Sequence, residues 1–392
     1  MKKNFILIII CLFIFSGCSA NNINDSETIS EKQNNTEIND KSVPVDTEKS
    51  PPEEYSVSLV AVGDNLYHSP INRKGYNNGT YNFDFVYNNI SDFIKDFDLA
   101  IVNQETVFVD HNDISSYPCF GTPEEAGDAL INAGFNVFLG ATNHAFDKKE
   151  NGILYTINFY KKHSDIEHVG LNENIDEYNS VKIIDKNNIK IAILNYTYGL
   201  NGFVIPDNEY YLVNTLYDKE KIKNDLEYAE QNADITIVFP HWGTEYVYEE
   251  TDMQKEWADF FTEYGADIII GAHPHVCEPV KYITSENGNS SLCYYSLGNF
   301  VSGQNEKPRI LGGIATFNIK KIVDDKNITT KIENPSFIPC VTHYNYNEHT
   351  IYLLKNYTDE LAYNSKLQAT PDYLWDLWYN INNSSEIDYQ KK

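Results

Sequence analysis

The chain has 392 residues and a formal net charge of −27, from 30 Lys and Arg against 57 Asp and Glu. An acidic chain without a Lys/Arg-rich stretch repels polyanions, so nucleic acid is excluded as an expected partner. The length suits one α/β domain of about 260 residues or slightly more, together with terminal segments.

The amino terminus is typical of a bacterial lipoprotein leader. A basic start at Met1–Lys3 precedes an apolar run, Phe5–Phe15, that is too short to span a bilayer comfortably. Small residues directly before Cys18 resemble a lipobox. We predict a signal peptide over residues 1–17, lipidation of Cys18 and attachment to the extracytoplasmic face of the cell membrane. An ordinary signal peptide or an uncleaved anchor is the alternative.

Composition divides the rest of the chain into three parts. Residues 18–54 are almost entirely polar and predict a disordered tether behind the lipidated cysteine. Residues 55–340 alternate strand-like and helix-like segments and predict a layered α/β sandwich. Residues 341–392 form an extension that either packs on this domain or covers its pocket. Helices are predicted over 84–96, 123–133, 149–162, 218–231, 251–264 and near 372–379, a hairpin over 181–185 and 189–194, and strands over 312–320 and 329–339.

Five predicted strands each end in side chains that bind metals. Ligand sites of α/β proteins lie at such strand ends, and mixed carboxylate, amide and imidazole groups suit Mn, Zn or Fe. A carboxylate shared by two ions gives the two-metal geometry of hydrolytic enzymes. Histidines that merely hydrogen-bond in the core are the alternative. In chain order the strand ends offer Asp64 and His68, then Asn103 and Glu105, then Asn143, His144 and Asp147, then His241, and finally His273 and His275.

Six motifs in this order resemble the CapA family, the bacterial capsule-synthesis proteins associated with poly-γ-glutamate. That family is in turn similar to calcineurin-like metallophosphoesterases, so the resemblance implies a metallophosphoesterase-like α/β/β/α sandwich. The motifs are Val62-Gly-Asp64-Asn, Val102-Asn-Gln-Glu-Thr106, Ala141-Thr-Asn-His-Ala-Phe-Asp147, His241-Trp-Gly-Thr-Glu-Tyr246, Gly271-Ala-His-Pro-His-Val276 and Tyr295-Ser-Leu-Gly-Asn-Phe300.

The resemblance also implies a ligand set for one or two divalent ions, bridged by Glu105. Two features depart from the phosphoesterase pattern: His68 stands four residues after Asp64 instead of two, and the bridging acid is Glu instead of Asp. A single ion or an asymmetric pair therefore stays open. The implied first site is Asp64, His68, Glu105 and His275, and the second is Glu105, Asn143, His241 and His273.

The resemblance gives further roles to residues beside the ligands. His144 matches the general acid of phosphoesterases, with orientation of its neighbours as the alternative. Glu245 is a candidate general base, ligand or hydrogen-bonding partner of a ligand. The predicted substrate pocket comprises Asn103, Asp147 and Asn299.

Three functions are compatible with these residues. The preferred one is a membrane-anchored, metal-binding, hydrolase-like protein of capsule or poly-γ-glutamate biosynthesis. The alternative is a non-catalytic factor that binds the capsule polymer or membrane proteins of its synthesis and export. A simple solute- or metal-binding lipoprotein is disfavoured because it needs fewer acid–base groups.

Overall fold

The computed structural model describes residues 51–325, 327–346 and 348–390. The predicted signal peptide, Cys18 and nearly all of the predicted tether lie outside these residues. The described residues belong to one compact unit that begins at Pro51. None of the helices in the described part of the chain is long and apolar enough to cross a membrane.

Strands and short helices alternate along the described chain. The strands are β1 Glu53–Leu66, β2 Tyr76–Asn77, β3 Thr80–Tyr81, β4 Leu99–Gln104, β5 Phe108–Val109, β6 Thr122–Pro123, β7 Val137–Leu139, β8 Glu167–Val169, β9 Lys182–Lys186, β10 Ile189–Thr197, β11 Ile235–His241, β12 Ile268–Ile270, β13 Val280–Thr284, β14 Ser290–Tyr294, β15 Asn299–Ser302, β16 Leu311–Asp324, β17 Asn327–Tyr344, β18 His349–Leu353 and β19 Asp388–Tyr389. The helices are α1 Ser69–Gly75, α2 Asp84–Tyr87, α3 Ser91–Lys95, α4 Glu125–Ala133, α5 Lys149–Lys161, α6 Ile175–Tyr178, α7 Lys219–Asn232, α8 Asp252–Glu263, α9 Asp359–Asn364 and α10 Pro371–Ile381.

Most strands belong to two sheets. The larger has the order β18-β17-β16-β1-β4-β7-β8, with β15 also beside β1 and β19 beside β17. The smaller has the order β13-β14-β12-β11-β10-β9. Parallel pairing joins β1, β4, β7 and β8 in the first sheet. It also joins β10, β11, β12 and β14 in the second. Each sheet therefore gathers several carboxyl strand ends along one edge.

Alternate residues of the central strands enter different apolar cores, because side chains along a strand point to opposite faces. On β1, Val57 and Leu59 pack in a cluster shared with the second sheet. Val60 and Val62 pack in a cluster shared with α1 to α5. The second sheet likewise packs its other face on α7 and α8. The layers therefore run helix, sheet, sheet, helix, and the predicted α/β/β/α sandwich is confirmed.

Two predicted helices differ from the structure. The helix predicted over 84–96 is divided into α2 and α3, and Asn89 at the break donates a hydrogen bond to Thr350 Oγ1 at 3.1 Å. Asparagine is unfavourable in a helix interior, which fits the interruption. The helix predicted from 123 starts at Glu125, because Thr122 and Pro123 form β6 beside β5. The other predicted helices, the hairpin and the carboxyl-terminal strands are confirmed within a few residues.

The carboxyl-terminal residues pack on the edge of the sandwich. Helix α10 places Trp378 against Phe337 of β17, with 4.6 Å between the ring centroids. Trp378 is fully buried, and its Nε1 donates to the carbonyl oxygen of Gln390 at 3.1 Å. The extension is thus built into the apolar core between the sheets.

Replacing Trp378 should therefore destabilise the whole unit. Truncating a buried aromatic side chain leaves a cavity, so we expect Trp378→Ala to lower the free energy of unfolding by about 3–5 kcal/mol. Urea denaturation would measure this loss, with the more exposed Tyr373→Ala on the same helix as the control. Equal stability of the parent and Trp378→Ala would contradict the packing described for α10.

Candidate functional site

The predicted ligands meet where carboxyl strand ends of both sheets come together. Asp64, near the end of β1, is in register with Asn103 of β4 and with Asn299 of β15. From the second sheet, His241 ends β11 and forms a bridge with Ala272, just beyond β12. The sandwich thus brings residues far apart in sequence to one edge, as expected for a parallel α/β arrangement.

Two groups of three side chains have the spacing of metal ligands. One is Glu105, His241 and His273, and the other is Asp64, Glu105 and His275. Within each group the candidate ligand atoms lie within 4.8 Å of one another. Glu105 belongs to both: its Oε1 lies 3.9 Å from His241 Nε2 and 3.8 Å from His275 Nε2. The geometry is that of a carboxylate placed between two imidazole-bearing sites.

Three ligand atoms of these groups are buried without a hydrogen-bond partner among the described residues. They are both carboxylate oxygens of Glu105 and Nδ1 of His273. An unpaired buried carboxylate destabilises the fold, because no hydrogen bond or ion pair compensates for the free energy of removing it from water. A divalent cation between these atoms would supply the missing partner. The residues present therefore fit a metal ion, and the mixed carboxylate and imidazole donors fit Mn, Zn or Fe.

Amide side chains hold the ligands in place. Asn103 Nδ2 donates to Asp64 Oδ1 at 2.8 Å and lies 3.3 Å from His241 Nδ1. Asn299 Oδ1 lies 3.0 Å from His275 Nδ1. Both amides were predicted in the substrate pocket, but the structure buries them against the ligand side chains. Contacts of this kind fix the ring orientation of metal-binding histidines.

The loop after β12 carries two ligands on unusual backbone. His273 has a φ of +101° and His275 a φ of +59°. Positive φ is unfavourable for a residue with a Cβ atom. The main-chain N–H of His273 donates to both carboxylate oxygens of Asp64, at 3.3 Å each. The tight loop thus places the His273 main-chain amide and the His275 imidazole on the Asp64 carboxylate.

Burial and mutual charge shift the pKa values of the cluster. Burial, and then the charge of Asp64, raise the pKa of Glu105 well above its usual value. Burial alone would lower the pKa of His275, but the Glu105 and Asp64 carboxylates outweigh it and raise that pKa to about 9. Burial and the neighbouring His275 lower the pKa of His273 to about 3. Metal binding at such a cluster would displace protons and depend on pH.

His144 lies beside the cluster in a polar contact of its own. Its Nδ1 is 2.7 Å from Asp147 Oδ2, which also accepts a hydrogen bond from the Phe120 amide at 2.7 Å. Asn201 Nδ2 lies 3.2 Å from the same ring nitrogen. Asn143, the residue before, has its Oδ1 3.0 Å from His241 Nε2. The structure therefore places Asn143 beside His241 and Asp147 beside His144.

Two predicted site residues lie apart from both groups. His68 Nδ1 lies 3.1 Å from the main-chain N–H of Gly303 and 3.3 Å from the carbonyl oxygen of Leu66. His68 is not in either group of candidate ligands. Glu245 is exposed in the loop after β11, but its charge acts on Glu105 and His275. Glu245 thus lies at the rim of the cluster.

Three neighbours of the cluster were not predicted from the sequence. The ring of Tyr198 is 4.6 Å from that of His273, and the ring of Tyr246 is 6.0 Å from that of His275. Asn201 contacts His144. Tyr198 and Asn201 follow β10, which runs parallel to β11. The strand-end argument applied to β10 would have found them.

Comparison with known families decides the classification. The family described as "Bacterial capsule synthesis protein PGA_cap" matches residues 58–304. The chain belongs to this family. The matched range includes every residue of the two ligand groups, so the PGA_cap region and the candidate metal site coincide. The family resemblance predicted from the six motifs is confirmed.

Two curated relatives, both named CapA, match part of the chain. The PGA_cap chain is 32% identical over 202 residues to "PGA biosynthesis protein CapA" of Bacillus subtilis, covering 51% of this chain and 51% of that protein. It is 28% identical over 232 residues to "Capsule biosynthesis protein CapA" of Bacillus anthracis, covering 57% of this chain and 55% of that protein. The match therefore spans about half the length of each relative.

Solved structures resemble the PGA_cap chain more distantly. NAD nucleotidase of Haemophilus influenzae is 11% identical with a TM-score of 0.42, covering 76% of this chain and 53% of that chain. A 5′-nucleotidase of Candida albicans is 12% identical with a TM-score of 0.38, covering 66% of this chain and 47% of that chain.

Proposed function

We propose that the protein is a membrane-anchored, metal-dependent hydrolase that acts in poly-γ-glutamate capsule biosynthesis at the cell envelope. The observation that carries the proposal is Glu105, which belongs to both groups of candidate ligands and whose two buried oxygens have no hydrogen-bond partner among the described residues. Family membership supplies the biological setting. The substrate class is an amide, ester or phosphoester bond of the polymer or its precursors.

The residues around the candidate metal site would have different roles in the reaction. A divalent ion held by Asp64, Glu105 and the three histidines His241, His273 and His275 would supply Lewis acidity for activating water near neutral pH. Asp147 holds His144 by its Nδ1. That contact leaves His144 Nε2 as the nitrogen that donates a proton to the leaving group. Asn103 and Asn299 orient the ligand side chains.

A non-catalytic assembly or polymer-binding factor is the second candidate. It is favoured by the burial of the ligands, since Glu105 and His241 have no exposed surface and His273 is 2% exposed. A metal held this deeply could stabilise the fold without contacting a substrate.

Turnover by the purified protein separates the two candidates. The parent, loaded with Mn or Zn, would be incubated with γ-glutamyl, carboxyl-ester and phosphoester substrates. The hydrolase proposal expects turnover that Glu105→Gln abolishes. A metal-loaded protein that cleaves none of these bonds would instead support the assembly factor.

Membrane attachment through Cys18 is tested by a single substitution. We expect Cys18→Ala to remove the lipid and shift the protein out of the membrane fraction, because the leader precedes one lipobox-like cysteine. Fractionation and intact-mass measurement would record the loss. The free, partly exposed Cys119, changed to Ala, is the matched control. Membrane association and lipid mass unchanged in Cys18→Ala would refute the anchor.

A further inference from the structure

A basic pocket lies between α1 and the carboxyl-terminal segment, and no residue of the two ligand groups lines it. Its cavity has a volume of about 680 Å³. Residues 341–368 form most of one wall, and the residues of α1 form the other. We call it the basic pocket and define it by six of its lining side chains: Arg73, Lys74, Tyr344, Tyr346, Tyr363 and Lys366.

We propose that the basic pocket binds a stretch of a carboxylate-bearing polymer chain, the part of the chain that does not react. Naming that polymer as poly-γ-glutamate rests on the proposed function. The pocket itself is argued from its charge, its tyrosines and its position beside the ligand cluster.

Positive charge is concentrated here on a chain that is otherwise strongly acidic. Arg73 and Lys366 are exposed, and no ion pair joins either of them to another residue in the described part of the chain. Lys74 Nζ donates to the carbonyl oxygens of Asn345 and Glu348, which carry no net charge. The Glu348 carboxylate lies 3.3 Å from His343 Nε2, and its charge also acts on Lys74, so Arg73 and Lys366 are the cations left for a ligand. The pocket therefore offers cations to an anionic ligand.

The tyrosines match the remainder of such a ligand. Tyr346 is 98% exposed and Tyr363 is 75% exposed, which is unusual for large aromatic side chains. The Lys366 Nζ lies 5.6 Å from the centre of the Tyr344 ring. A γ-linked glutamate chain alternates methylene groups, amides and carboxylates. Tyrosine faces pack on methylenes, and tyrosine hydroxyls bond amides.

One short segment separates the basic pocket from the ligand cluster. Gly303 lines the pocket. The next residue, Gln304, accepts a hydrogen bond from Asn299 Nδ2 at 3.1 Å and lies 3.3 Å from the Tyr246 hydroxyl. Asn299 in turn contacts His275. A polymer held in the pocket would therefore lie beside the rim of the cluster, where binding of its unreacted part can assist the reacting part.

The test measures binding of a fluorescent, short γ-linked glutamate oligomer to the purified full chain by anisotropy. We expect Arg73→Gln, Lys366→Gln to weaken binding roughly 5- to 30-fold, the effect of losing two charge-assisted contacts. The charge-matched control is Lys190→Gln, Lys331→Gln, two exposed lysines on β10 and β17 away from the pocket. The control should bind like the parent, and a γ-linked oligomer whose free α-carboxylates are converted to carboxamides should bind the parent more weakly.

Several results would overturn the inference. They are an absence of oligomer binding to the parent, equal binding by the pocket variant, or an equal loss in the charge-matched control. If the pocket variant bound anionic phospholipid vesicles more weakly than the parent but bound the oligomer equally well, the pocket would be a membrane contact instead. Metal content separates this proposal from the previous one. The pocket variant should keep its metal, and His241→Ala, His273→Ala should lose metal while still binding the oligomer.

Discussion

The double variant His241→Ala, His273→Ala should lose its metal. Both imidazoles belong to one ligand group, and the remaining Glu105 oxygens cannot complete a coordination shell alone. Because even partners of ligands contribute about 10–100-fold to metal affinity, we expect a loss of at least about 100-fold here. Elemental analysis after gentle chelation and reloading with Mn or Zn would measure the retained metal.

Thermal denaturation gives the same experiment a second readout. A ligand at 100 times its Kd stabilises a folded protein by about 2.7 kcal/mol, so metal should raise the Tm of the parent and not of the variant. The matched control is His111→Ala, His163→Ala, which removes two histidines outside the ligand groups. Metal retained by the ligand variant at the level of the parent would exclude the proposed site.

Single substitutions can count the ions. If two ions bind, His273→Ala and His275→Ala should each remove about one of them, since each histidine belongs to a different group. If one ion binds, either change should weaken the same stoichiometric site. Glu105→Gln should affect the metal in both cases, because Glu105 belongs to both groups.

His144→Ala should reduce turnover about 10²–10⁴-fold, the usual contribution of a general acid. It should leave the metal content unchanged, because His144 lies outside both ligand groups among the described residues. Its ring contacts Asp147 and Asn201 instead. Single-turnover assays on the substrate that the parent cleaves, with metal analysis of the same samples, would measure both quantities.

The control for His144 is the distant His163→Ala, which should keep full turnover. Asp147→Asn should give a smaller loss than His144→Ala, because it weakens the orientation of the ring and leaves the ring present. Full turnover by metal-loaded His144→Ala would exclude the general-acid role. Loss of metal together with activity would show that His144 supports the ligands.

The large elements could be predicted because their periodicity is strong. Strand β1 alternates between two apolar cores, and this two-residue period is visible in the sequence. The break between α2 and α3 was missed, because it involves a contact between Asn89 and Thr350, 261 residues apart. Strand β6 was missed for a related reason: its partner, β5, is supplied by the tertiary fold.

For the site, too, the sequence predicts residues in local patterns but not contacts that depend on the tertiary fold. Glu105, His241 and His273 follow apolar runs that end abruptly, so the strand ends alone indicated them. His68 was assigned from its place after Asp64, and only the fold shows its Nδ1 bonded to the Gly303 amide. Asn103 and Asn299 were expected in the substrate pocket. Their contacts with Asp64 and His275 depend on strand register, which the sequence does not specify.

The backbone of the His273-Pro-His275 loop bears on why these side chains are present at all. Each positive φ at a residue with a Cβ atom costs on the order of 1–3 kcal/mol, and glycine would avoid much of that cost. A sequence chosen only for stability would therefore not place histidine at these two positions. The fold gives up part of a small stability margin to present two imidazoles to a buried carboxylate.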